Sequence, residues 1–224
     1  MRWIGFYDYT VILTYLSLFS GLIGMKNAAD GRLGTAIVCL LVSGFCDLFD
    51  GVVARSKKGR TEDEKNFGIQ LDSLCDIVCF GALPAVVGVS LVRNAGLPLQ
   101  ITTWVLAFTL ILCALIRLAY FNVTEETRQA TESGRRTHYM GLPVTTSAII
   151  FPVALILMRA LPVDLAWVTA WIYPVFMALT ALFFITPIRI PKPHGAGFIL
   201  PGAIGSIEGM ILCYMLLREL SVLP

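Results

Sequence analysis

Residues 47–76 read DLFDGVVARSKKGRTEDEKNFGIQLDSLCD. The start of this stretch closes an apolar run at about 34–55, and its end opens another at about 66–92, each long enough to cross a membrane. Between them, Lys57, Lys58 and Gly59 mark a helix end, with cations at the negative pole and glycine as the stop. Thr61 with Glu64 three residues on is a capping box that opens the next helix. A short turn therefore joins two antiparallel membrane helices. On the first, Asp47, Asp50, Gly51 and Arg55 lie broadly on one face, because residues three and four apart are neighbours. On the second, Gly68, Asp72 and Asp76 follow at intervals of four and share a face. Folding the hairpin brings four carboxylates together.

Such a cluster needs a reason. One Asp near the bilayer centre costs about 2.5–3.5 kcal/mol. Four unpaired ones approach about 10 kcal/mol at the upper end, as much as the stability of a whole domain. One arginine cannot neutralise four acids that repel one another, whereas a pair of divalent cations can. Oxygen-only ligands select hard ions such as Mg²⁺, Mn²⁺ or Ca²⁺. Two such ions side by side clamp a phosphoryl group under attack. Gly51 and Gly68, bare of side chains, let a ligand approach the helix backbone, although small residues also serve helix packing in membranes. Arg55 suits a bidentate hold on phosphate.

The rest of the chain fits a membrane setting. Of its 224 residues, 57% are hydrophobic and 14% charged, against roughly 25% charged in a soluble domain. This predicts a single integral membrane domain over 1–224. The net charge of +2 gives no sign of a nucleic-acid partner. Candidate spans at about 9–25, 34–55, 66–92, 101–122, 142–160, 164–186 and 198–217 predict an all-α polytopic transmembrane bundle of seven membrane segments. The last is interrupted by Pro201, glycines and Glu208. The first is read as a retained helix, since Asp8 precedes it and KNAADG at 26–31 is a poor cleavage site. Pro84, Pro152 and Pro174 are expected to kink their helices. The six cysteines lie in apolar stretches without a CxxC, as small apolar residues do.

Lys and Arg set orientation. With the N-terminus cytoplasmic, Arg2, Arg55, Lys57, Lys58, Arg60, Lys65, Arg128, Arg135, Arg136, Arg189 and Lys192 lie inside. Lys26, Arg32, Arg93, Arg159 and Arg218 lie outside. Eleven against five puts the N-terminus and the aspartates' face in the cytoplasm.

The spacing Asp47, Asp50, Gly51, Ala54, Arg55, then Gly68, Asp72, Asp76 resembles the signature D-x-x-D-G-x-x-A-R…G-x-x-x-D-x-x-x-D of the CDP-alcohol phosphotransferases, with a longer spacer than in most members. The resemblance implies a helical membrane enzyme with six core helices, to which the C-terminal segment at about 198–217 is an addition, two divalent cations (Mg or Mn) and a homodimer. It implies metal ligation by Asp47, Asp50 and Asp72, with Asp76 as a further ligand or the catalytic base. It assigns the CDP moiety to Gly51, Ala54, Arg55 and Gly68. LDSLCDIVCFGALPAV at 71–86, RLAYFN at 117–122 and MGLPVTTSA at 140–148 resemble the phosphatidylserine synthase branch, with Tyr120 where that branch has Arg. In the first helix, Ser17 stands where Asn is common. The branch implies transfer of a phosphatidyl group from CDP-diacylglycerol to L-serine with release of CMP.

An amino-acid acceptor needs a cation for its carboxylate. Arg117, Asn122, Arg135, Arg136 and His138 are the candidates near the cytoplasmic face. Glycerol phosphate or inositol phosphate would also want cations, and choline is a further acceptor in the family, so these residues leave the acceptor open. The competing class is an ion-coupled transporter, since intramembrane acids mark ion routes. No inverted repeat supports it, and the glycine–aspartate spacing has no purpose there. Glu208 and His194 are not expected to be catalytic.

Overall fold

The computed structural model describes residues 4–131, 138–161, 166–191, 204–205 and 207–211, without the side chains of 129–131, 138–139, 166–167 and 189–191. Among the described residues the longer α-helices are, in order, α1 (Ile12–Ala29), α2 (Leu33–Ser56), α3 (Glu62–Asp76), α4 (Leu83–Leu91), α5 (Leu97–Thr131), α6 (Ser147–Ala160) and α7 (Ala166–Ile185). A π-helical segment, Ile77–Ala82, joins α3 to α4, so the two form one span. Tyr9–Ala29, Leu33–Ser56, Glu62–Leu91, Leu97–Arg128 and Val168–Ile185 are long and apolar enough to cross a membrane, and Val144–Ala160 is apolar but shorter. The chain is a polytopic membrane helical bundle. The predicted span at 198–217 lies largely outside the described residues.

Helices in lipid gain little from hydrophobic association, so they pack through small residues and hydrogen bonds. The α1–α2 contact shows this. Ser43 donates to the Ser17 carbonyl at 3.0 Å, and Ser20 donates to the Cys39 carbonyl at 2.9 Å. Across α1, a Cβ at Gly21 would sit 2.9 Å from Cys79 Sγ, and one at Gly24 would sit 2.9 Å from Leu83. Around this small-residue seam the core is filled by Ile37, Leu40, Phe80, Leu83, Phe151 and Tyr173. Phe19, Leu74, Trp104 and Phe108 are exposed on the outside, as a lipid-facing surface requires.

The turn between α2 and α3 forms as its residues dictate. α2 ends at Ser56, Lys57 is extended, and Gly59 takes a φ of +73°. The Thr61 hydroxyl accepts from the Glu64 N–H at 3.2 Å, and the Glu64 carboxylate accepts from the Thr61 N–H at 3.0 Å. Beyond α3 the structure departs from a plain proline kink. Pro84 has no N–H for the preceding turn, and the backbone loosens into the π-helical segment ahead of it.

α5 is longer than expected. Its 35 residues extend about 52 Å, whereas a bilayer core is about 30 Å thick. No Gly or Pro interrupts residues 123–131, and Arg128 pairs with Glu125 at 2.6 Å. Strand β1 (His138–Met140) pairs antiparallel with β2 (Arg189–Pro191), Met140 opposite Arg189. Gly141 follows with φ +75°, where a Cβ would lie 2.8 Å from the Phe184 carbonyl oxygen. The glycine of the 140–148 segment therefore docks the chain onto the end of α7.

Candidate active site

α2 and α3 bring their carboxylates to one place. Asp47, Asp50 and Asp72 each offer an oxygen, and these oxygens lie within 4.8 Å of one another. All three residues are half-buried. Asp76, one turn further along α3, stands outside this group and is only 8% exposed, where α3 passes into the π-helical segment. Three acids gather and the fourth sits deeper. The gathered donors are all oxygen, which suits a hard divalent cation.

Beside the triad lies a pocket of about 140 Å³. Asp50, Gly51 and Ala54 of α2 form one wall, and Gly68 and Asp72 of α3 form another. Thr10 and Thr14 approach from the first span, with Thr14 beside Asp50. Arg60 and Lys65 close the end near the turn. Sequence reasoning had not singled out Thr10, Thr14, Arg60 or Lys65 for the site. The two cations counted only toward orientation, and no spacing rule ties Thr14 to Asp50, 36 positions on.

Each signature glycine carries a guanidinium on its bare face. A Cβ at Gly51 would lie 3.2 Å from Arg55 Nη1, and one at Gly68 would lie 2.9 Å from Arg60 Nη2. Arg55 itself is exposed. Arg60 is held: Nη1 donates to the Ala54 carbonyl at 3.3 Å and Nη2 to the Glu64 carbonyl at 3.0 Å. Lys65 is paired with Glu62 at 2.5 Å.

The segment before α1 is tied to the turn. Lys57 bridges Asp8 at 2.7 Å and Glu64 at 3.1 Å. Asp8 also accepts from the Thr10 backbone N–H at 2.7 Å and from the Thr10 hydroxyl. The Lys57 hydrogen bond, then that of Thr10, lowers the Asp8 carboxyl from 3.8 to about 2. Tyr9 and Ser56 share a hydroxyl hydrogen bond at 3.2 Å.

On the α5 side, Asn122 Nδ2 donates to Ser73 Oγ at 3.0 Å. Ser73 follows Asp72 directly, so α5 is fastened to the acid-bearing helix. Arg117 is buried, with its guanidinium 5.0 Å from the Phe121 ring centroid. Tyr120 is 57% exposed, so its side chain is turned outward while Arg117 and Leu118 are buried. Arg135, Arg136 and His194 lie outside the described residues. His138 contributes backbone to β1. Ser17 is engaged in the α1–α2 packing, hydrogen-bonded with Ser43. Glu208 is buried beside α2, where Gly209 neighbours Leu41, and it is not among the gathered acids. Cys39, Cys46, Cys75, Cys79 and Cys113 are free thiols.

The chain is similar to proteins of stated activity. It is 31% identical over 138 residues to the archaetidylserine synthase of Methanothermobacter thermautotrophicus, covering 62% of this chain and 53% of that one. It is 28% identical over 186 residues to the CDP-diacylglycerol–serine O-phosphatidyltransferase of Mycobacterium leprae, covering 81% and 57%. The Helicobacter pylori protein of the same name is 27% identical over 187 residues, covering 83% and 73%. The chain thus spans little more than half the length of the first two relatives. Residues 9–185, most of the chain and the whole of the pocket, match one family throughout, and the protein belongs to it: the CDP-alcohol phosphatidyltransferases.

Proposed function

We propose that the chain transfers the phosphatidyl group of CDP-diacylglycerol to the hydroxyl of L-serine, giving phosphatidylserine and CMP. The gathering of Asp47, Asp50 and Asp72 beside a pocket with cations at its end carries this reading. The names of the relatives point to serine as the acceptor. The face bearing the pocket is taken as cytoplasmic, on the excess of Lys and Arg in its loops. A homodimer accompanies the reading through the family resemblance.

Asp47, Asp50 and Asp72 would hold two divalent cations, Mg²⁺ or Mn²⁺. When bound, these neutralise the carboxylates and the charge developing on the departing CMP. Gly51, Ala54 and Gly68 line the pocket that would take the cytidine diphosphate, and Arg55, beside Gly51, would meet a phosphate oxygen. The serine oxygen forms a bond to the lipid-bearing phosphorus as the bond from that phosphorus to the bridging oxygen breaks. Asp76 receives the serine hydroxyl proton. Arg117 and Asn122 hold the serine carboxylate, with Arg135 and Arg136, outside the described residues, as further candidates. Positioning and fixed charge supply most of the acceleration.

The test is CMP release by purified protein with CDP-diacylglycerol and Mn²⁺ or Mg²⁺ across a panel of acceptors. Release with L-serine alone is expected. Release with glycerol phosphate, inositol phosphate or choline instead would replace the acceptor. No release with any of them, from folded protein, would bring forward the transporter reading.

A further inference from the structure

The turn after α2 delivers a second arginine to the pocket, outside the signature positions. Arg60 lines the pocket together with Asp50, Gly51, Gly68 and Asp72. Its two terminal nitrogens are fixed on the carbonyls of Ala54 and Glu64, one on each helix of the hairpin. Its Nε is buried and has no hydrogen-bond partner among the described residues. A buried donor left unpaired is costly, and an acceptor placed against it recovers that cost. The guanidinium also rests where a side chain at Gly68 would stand, so glycine there makes room for it.

Of the three cations near the pocket, Arg60 is the one that lines it and carries a buried donor without a partner among the described residues. Lys65 is paired with Glu62, and Arg55 is exposed and does not line it. A permanently charged planar donor that lines the same pocket as Asp50 and Asp72 suits an anion that bridges cation and metal, and a diphosphate is such an anion.

Resting on the donor assignment above, we propose that Arg60 is a binding residue for the diphosphate of CDP-diacylglycerol, gripping it from the turn end of the pocket. An acceptor carboxylate is the other anion in the reaction. The acceptor candidates Arg117 and Asn122 sit on α5, and Asn122 meets Ser73 there, so Arg60 belongs to the donor end.

The experiment is equilibrium binding of CDP, with Mn²⁺ present, to wild type, Arg60→Gln and Arg60→Lys, alongside thermal stability and the KM for L-serine. Loss of one charged hydrogen bond should weaken CDP binding about tenfold or more. In Arg60→Gln this is expected with the KM for serine unchanged, and Arg60→Lys should recover part of it. Unchanged CDP affinity in folded Arg60→Gln would overturn the assignment. A rise in serine KM alone would overturn it too, by moving Arg60 to the acceptor. If Arg60→Gln does not fold, phenylglyoxal labelling of wild type decides: CDP should protect Arg60, and equal labelling with and without CDP would overturn the proposal. Absence of CDP binding by folded wild type would overturn the donor reading itself, and this assignment with it.

Discussion

Asp76 differs from the other three signature aspartates in where its carboxyl ends up. It shares a helix face with Asp72, yet it stands outside the group of oxygens and is nearly buried. A ligand and a proton acceptor should respond differently to the same change. Asp47→Asn should weaken Mn²⁺ binding, read by electron paramagnetic resonance. Asp76→Asn should keep Mn²⁺ affinity near wild type while CMP release falls about a hundredfold or more. Equal loss of Mn²⁺ in both variants would make Asp76 a ligand. The spacing of three and four residues made the shared faces legible, because helical periodicity fixes them. It could not separate Asp76 from the rest, since that depends on how α2 and α3 cross. Arg60 was legible only as a charge. Its place over Gly68 follows from the backbone path of the turn, which no periodicity describes.

Among the elements, the two ends that bound the α2–α3 turn were readable: the stop at Gly59 and the capping box at Thr61 are local chemistry, and both form as written. The π-helical segment was not. Pro84 announces a distortion, but whether a helix bends, breaks or widens is decided by its packing, here with the Tyr173 hydroxyl donating to the Pro84 carbonyl at 3.1 Å. The tie between the first span and the turn was also hidden, since Asp8 and Lys57 meet only in the fold. Asp8 is lowered to about 2 by Lys57 and Thr10. A depressed carboxyl stabilises above its ordinary 3.8 and loses that contribution as pH falls through about 2. Asp8→Asn should therefore lower stability at neutral pH by about 1 kcal/mol, allowing for solvent screening of a partly exposed pair. In thermal unfolding, the gap between variant and wild type should hold down to about pH 4, narrow between about 4 and 2, and close below. A gap unchanged at pH 2 would show that the Asp8 charge is not its cause.

For the molecule as a whole, hydropathy located six apolar helices, because a bilayer of fixed thickness demands apolar runs of fixed length. It cut α5 short near Asn122. Past that point the helix is polar, and the Glu125–Arg128 pair supports it, which hydropathy does not sense. The exits of α5 and α7 meet in the β1–β2 pair, and Asp8–Lys57 ties the segment before α1 to the hairpin turn. With helices alternating in direction, these contacts place the segment before α1, the hairpin turn and the exits of α5 and α7 on the face that carries the triad. To this face we assign metal-dependent phosphatidyl transfer. The most direct test strips divalent cations from the purified protein, supplies CDP-diacylglycerol and L-serine, and follows CMP before and after Mn²⁺ is added back. No release before and full release after is the expected result; undiminished release from the stripped protein would contradict the account.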